Sequence, residues 1–105
     1  MEHAGVASIL EAELAALGEF QNFHGITKTN IRSLLVEPYR VLVDPDDLET
    51  EPREMWAFLQ ERSDEGYILA FDPLLGSWSV VERTGGKAYV QVISSTSLAG
   101  ALNGM

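Results

Sequence analysis

The sequence predicts an α+β domain: a small antiparallel sheet of three to four strands with helices packed on one face. Three observations predict it. Val6, Ile9, Leu10, Leu14 and Leu17 recur at three- and four-residue spacing within residues 4–18, one face of a helical repeat. Residues 67–94 divide into three apolar-rich runs separated by Asp72-Pro73-Leu74-Leu75-Gly76 and Thr84-Gly85-Gly86, which reads as a meander. Upstream, residues 39–43 (YRVLV) alternate Tyr39, Val41 and Val43 with Arg40 and Leu42, and valines suit a pleated strand. Elements in this order pack as two layers around one core. The 105 residues suit a single domain spanning 1–105.

Each element has its own local reason. In the first helix Glu13 lies two turns after Val6 and interrupts the apolar stripe, so either the stripe is only partly buried there or a lysine or arginine pairs with it. Gly18 is a natural stop. Phe20 and Phe23, in the loop that follows, are expected to lean back on the core. Thr29-Asn30 can cap a short helix through Leu35, with a strand as the alternative, and Pro38 bars the helix from continuing. The strand at 39–43 must join an edge of the meander, because an isolated strand leaves its backbone groups unpaired.

A second long helix is predicted from about Glu51 to Ser63. Pro52 fits its first turn, Met55, Trp56, Phe58 and Leu59 form its apolar stripe, and Gly66 closes it. Tyr67–Phe71, Ser77–Arg83 and Lys87–Ser94 are the meander strands, with Gly85-Gly86 supplying the positive φ of a tight hairpin. Ser95 or Thr96 caps a last short helix carrying Leu98 and Leu102.

Composition narrows the function classes. The chain has 46% hydrophobic and 22% charged residues, a globular balance. It has no cysteine, which removes disulfides, thiolate nucleophiles and cysteine metal sites and suits a reducing cytoplasm. Glu2, Glu11 and Glu13 stand where a secretory leader would need basic and apolar residues. No apolar run approaches the roughly 20 residues that span a bilayer. A formal charge of −9 argues against nucleic acid and anionic membranes as partners, since both carry the same sign.

That charge is concentrated. Residues 44–66 (DPDDLETEPREMWAFLQERSDEG) hold nine acidic residues and two arginines, −7 of the chain's −9. On the predicted helix, Glu49, Glu51 and Glu54 would complement the positive end of the macrodipole. Asp44, Asp46 and Asp47 have no such local reason beyond their aptitude for turns. They resemble the start of a calcium loop, but its sixth position needs glycine and its twelfth glutamate, where this chain has Glu49 and Met55. No metal site and no cofactor are therefore expected.

Catalytic patterns are equally thin. His3 and His24 lie apart, with no cysteine or further histidine near them to complete a ligand set. No G-x-S-x-G elbow is present. Gly85-Gly86 lies between strands, without the helix N-terminus that a phosphate loop needs. No catalytic residue is assigned, and the chain reads as non-catalytic.

The resulting expectation is a small acidic cytoplasmic module that meets a basic protein through Asp44, Asp46, Asp47, Glu51 and Glu54, with Trp56 or Trp78 as apolar anchor. Inhibitors of basic toxins share this profile of charge and size. Pairing of two copies at a sheet edge is a companion reading. The alternative is a small-molecule binder or minor enzyme with a pocket between sheet and helices, lined by Tyr67, Phe71, Trp78 and Tyr89.

Overall fold

The computed structural model describes residues 3–18, 20, 25–44, 51–61, 66–83 and 89–105. The elements are α1 (His3–Ala16), a 3-10 turn (Ile31–Leu34), β1 (Leu35–Asp44), β2 (Arg53–Gln60), β3 (Tyr67–Asp72), β4 (Ser77–Arg83), β5 (Tyr89–Ser95) and α2 (Leu98–Gly104). The α+β class stands. The strand count does not: among the described residues there are five, and they run as a meander that curls until β5 meets β1. In an up-and-down run of five, the first and last strands point the same way. Closure is therefore parallel, with Val43 opposite Tyr89 and Asp44 opposite Val90. Among the described residues only these two pairs join β1 to β5, at the end of one strand and the start of the other.

The additional strand comes from residues 51–61, the described part of the segment predicted as a helix, and no helix forms there. Arg53–Gln60 forms β2, antiparallel to both β1 and β3. All five residues from Met55 to Leu59 are buried. A strand covered on both faces loses its polar alternation and reads as a continuous apolar run, which a helix stripe can mimic. The mimicry is helped by an irregularity at Phe58: the register passes from Ala57↔Ala70 to Leu59↔Leu69, so one residue is extra on β2. Pro52 precedes a strand here, not a helix. Gly66, at φ +84°, leads into β3 instead of ending a helix.

β1 is longer than the expected 39–43 and contains Pro38. Its pairing with β2 shifts register between Leu35 and Tyr39, the interval that holds the proline. A residue without an N–H is tolerated in a strand where the ladder is already interrupted. The expected short helix before it is a single 3-10 turn. Asn30 makes no side-chain cap to that turn. It reaches backward instead: its Oδ1 accepts from Thr27 N at 2.8 Å, and its own N–H donates to Thr27 Oγ1 at 3.2 Å.

The sheet has two differently filled faces. The inner one draws Val41, Val43, Met55, Ala57, Ile68, Ala70 and Val81, with Tyr39 and Tyr89 packed against them, so all five strands contribute. These side chains are mostly small, as a narrow five-stranded barrel requires. Ala57 and Ala70 are cross-strand partners at 0% exposure. Ala70→Leu should therefore overpack the barrel and lower unfolding free energy by about 1–3 kcal/mol, read from the urea midpoint.

The outer face of β2–β5 carries Phe58, Leu59, Leu69, Phe71, Trp78 and Val80. Over it lie Leu10, Leu14 and Leu17 from α1 and its C-terminal extension, Leu98, Ala101 and Leu102 from α2, and Phe20. Both helices thus sit on the outer face, as the layer argument requires.

Glu13 has a partner, but not a cation: its Oε2 accepts from Leu98 N at 3.3 Å, at the start of α2. α2 is capped by Ser97, one residue beyond the candidates Ser95 and Thr96, with Gly100 N donating to Ser97 Oγ at 3.0 Å. Among the described residues no helix is long and apolar enough to cross a membrane.

Candidate functional site

Among the described residues, β1 and the start of β2 leave a strip of the outer face in contact with solvent. It consists of alternate residues on β1 (Arg40, Leu42, Asp44) and on the start of β2 (Glu54, Trp56), since strand side chains alternate between faces. Leu42 is 61% exposed. It pairs in register with Glu54 and lies two residues before Asp44 on the same face. Arg40 spans its neighbours: the guanidinium lies 5.1 Å from the centroid of the Trp56 ring and its Nε is 3.5 Å from Glu54 Oε1. Both charged side chains of that pair are well exposed, so its net contribution to stability is small.

Three of the predicted contact residues, Asp44, Glu51 and Glu54, lie on or next to this strip. Asp44 is exposed at the end of β1, and Glu51 and Glu54 are exposed at the approach to β2 and within it. Among the described residues no ion pair or side-chain hydrogen bond involves Asp44 or Glu51. Asp46 and Asp47 lie outside the described residues, as do Phe23, His24 and the Gly85-Gly86 turn. Trp56 is 7% exposed beneath Arg40, and Trp78 is 3% exposed. Neither indole offers an open ring as an anchor. The exposed apolar residue on the strip is Leu42. Its position between Arg40 and Asp44, on the polar side of the YRVLV alternation, was the signal that the sequence held.

The aromatic set Tyr67, Phe71, Trp78 and Tyr89 is not brought together. Phe71 and Trp78 pack directly, with ring centroids 4.8 Å apart, and Phe58 meets Trp78 edge-on at 5.4 Å. Tyr67 lies against that same outer layer, whereas Tyr89 belongs to the inner one. Inside, the Tyr39 hydroxyl donates to Gln60 Oε1 at 2.8 Å. Burial pushes its pKa above the ordinary phenol value, Tyr89 adds to the rise, and Arg83 opposes it. A neutral phenol bonded to a neutral amide ties β1 to β2 and supplies no acid–base pair. Among the described residues no three His, Cys, Asp or Glu side chains converge on a metal position.

The end of the barrel next to Asp44 holds a second feature. Asp72, the last residue of β3, is 1% exposed. Its Oδ1 accepts from Leu74 N at 2.9 Å and from Leu75 N at 3.3 Å. Its Oδ2 is 2.9 Å from Nε of Arg53, the first residue of β2. No hydrogen-bond alignment accompanies that contact, so it is a charge contact with Arg53 Nε and Nη2 otherwise unbonded. The turn that Asp72 ties down exposes Leu74 at 82% and Leu75 at 64%.

Compared with family models, curated proteins and solved structures, the chain matches none. The function must therefore be argued from these surfaces.

Proposed function

We propose that the chain is a non-catalytic, cytoplasmic protein-binding module that meets a basic partner through the bare acidic strip of β1 and β2. The observation that carries the reading is Leu42, 61% exposed on the outer face of β1, with Asp44 beyond it and Glu54 beside it. A central apolar residue with Asp44 and Glu54 on its rim, against the single cation Arg40, suits a contact that is steered by charge and completed by burial. The strand at 53–60 adds a second support. Without a helix there, no macrodipole offsets the charge of Glu51 and Glu54, so local backbone electrostatics no longer accounts for them. Inhibition of a basic toxin is one role with this charge and size.

The test is capture by immobilised chain from a host lysate, comparing wild type with a triple variant, Asp44→Asn, Glu51→Gln and Glu54→Gln. These exposed positions should leave unfolding free energy within about 0.5 kcal/mol of wild type. Wild type should retain a basic protein at ~0.1 M salt and release it toward ~1 M, where charge is screened within a few ångströms. The variant should retain markedly less at the lower salt. Equal capture by both, or capture indifferent to salt, would reject the acidic strip.

A further inference from the structure

We infer that the β3–β4 turn is a preformed apolar contact element, and that its occupant is a cationic amphipathic helix of a partner protein. The inference rests on the acidic-strip reading for the partner's charge, but not for the apolar contact itself. Leu74 and Leu75 are the two most exposed large apolar side chains described, at 82% and 64%. Single exposed leucines need no explanation; two adjacent ones on a tied turn do.

The tie is unusually complete for a surface turn. Asp72 Oδ1 accepts from both leucine N–H groups, and Gly76 N donates to Asp72 O at 2.8 Å. Gly76 itself takes φ +67°, a conformation that a side chain would strain. The carboxylate is held in turn by Arg53 at 2.9 Å. Buried charge is thus used to fix two leucines in solvent. An element already ordered before binding loses less entropy on contact than a flexible loop of the same composition.

Position supplies the partner's charge. β2 starts at Arg53 and β3 ends at Asp72, and those two residues touch, so the turn lies at the same end of the barrel as the approach to β2. Val43 pairs with Arg53, which brings the end of β1 and Asp44 to that end as well. Asp44 and Glu51 are exposed there. Exposed leucines at the same end of the barrel as exposed carboxylates match a helix that carries leucine-like residues on one stripe and lysine or arginine on its flanks. A bilayer is a poorer match, since a chain of charge −9 is repelled by anionic headgroups.

Fluorescence anisotropy of the full chain with two labelled probes tests this: an amphipathic leucine–lysine helical peptide, and polylysine of similar charge. A Leu74→Ser/Leu75→Ser variant should unfold at the wild-type midpoint, bind polylysine as wild type does, and bind the leucine–lysine peptide at least about tenfold more weakly. The variant with Asp44→Asn, Glu51→Gln and Glu54→Gln should weaken both probes. Wild-type affinity of the leucine variant for the leucine–lysine peptide would overturn the inference. So would absence of saturable peptide binding by wild type, or leucine-dependent sedimentation with phosphatidylcholine vesicles in place of peptide binding. If only the leucine variant loses the peptide, the acidic strip is rejected and the turn contact stands.

Discussion

Trp78→Ala should destabilise the protein by about 3–5 kcal/mol, a large part of the 5–15 kcal/mol that holds a domain of ordinary stability together. Trp78 is 3% exposed and lies where the two aromatic contacts of the outer layer meet: Phe58 edge-on at 5.4 Å and Phe71 tilted at 4.8 Å. Beyond those rings the layer is completed by α1 and α2. Truncation would remove the indole from a site bounded by a sheet on one side and two helices on the other. Neither boundary can collapse into the cavity without breaking strand pairing or helix packing, so the cavity contribution adds to the lost burial. Trp78→Phe should cost much less, because the ring–ring contacts persist. The check is equilibrium urea unfolding followed by far-UV circular dichroism, with the slope unchanged and only the midpoint moved. A shift worth less than about 1 kcal/mol would show that the outer layer repacks freely.

The same residue shows what could be read from the sequence. Trp78 follows a turn with glycine and proline and begins a run that alternates poorly, yet its strand and the strands at 67–72 and 89–95 were all recognisable, because turn residues bound them closely. α1 was recognisable for a different reason: Val6, Leu10, Leu14 and Leu17 are all buried at helical spacing, with no competing period. β2 was not recognisable. Met55, Trp56, Phe58 and Leu59 satisfy a helical stripe, and they do so because the bulge at Phe58 shifts the strand's alternation midway. Burial on both faces erased the polar residues that would have disclosed a period of two.

Barrel closure was equally hidden. It rests on two residue pairs between the ends of the chain's first and last strands, and such a contact leaves no local pattern. For the surface, charge was readable and exposure was not. Asp44, Glu51 and Glu54 could be singled out from composition alone. The apolar contact could not, because tryptophans drew attention that belonged to Leu42, Leu74 and Leu75. Large aromatics at element spacing fill cores, whereas a leucine among turn residues has no core to enter.

Asp72→Ala is the second change with a large expected effect: about 3 kcal/mol of destabilisation, near the lower end for breaking a buried ion pair because Arg53 keeps a quarter of its side chain in water. Two losses combine. The Arg53 guanidinium keeps its charge but loses the carboxylate 2.9 Å away, and the N–H groups of Leu74 and Leu75 lose their shared acceptor. Asp72→Asn separates the two, since an amide oxygen can still accept from both N–H groups while the charge contact is gone. It should lie between wild type and Asp72→Ala. Adding Arg53→Met to Asp72→Asn should recover stability relative to Asp72→Asn alone, because the uncompensated cation is then replaced by an apolar side chain. Urea midpoints for wild type, Asp72→Asn, Arg53→Met and the double variant close the cycle, and additive effects would show that Arg53 and Asp72 are not coupled. The cycle also bears on binding. Asp72→Asn retains the turn's acceptor and should preserve affinity for the leucine–lysine peptide, whereas Asp72→Ala frees the two leucines and should weaken it even under conditions where the variant is fully folded. Equal peptide affinity in wild type, Asp72→Asn and Asp72→Ala would mean that the fixed display of Leu74 and Leu75 contributes nothing to recognition.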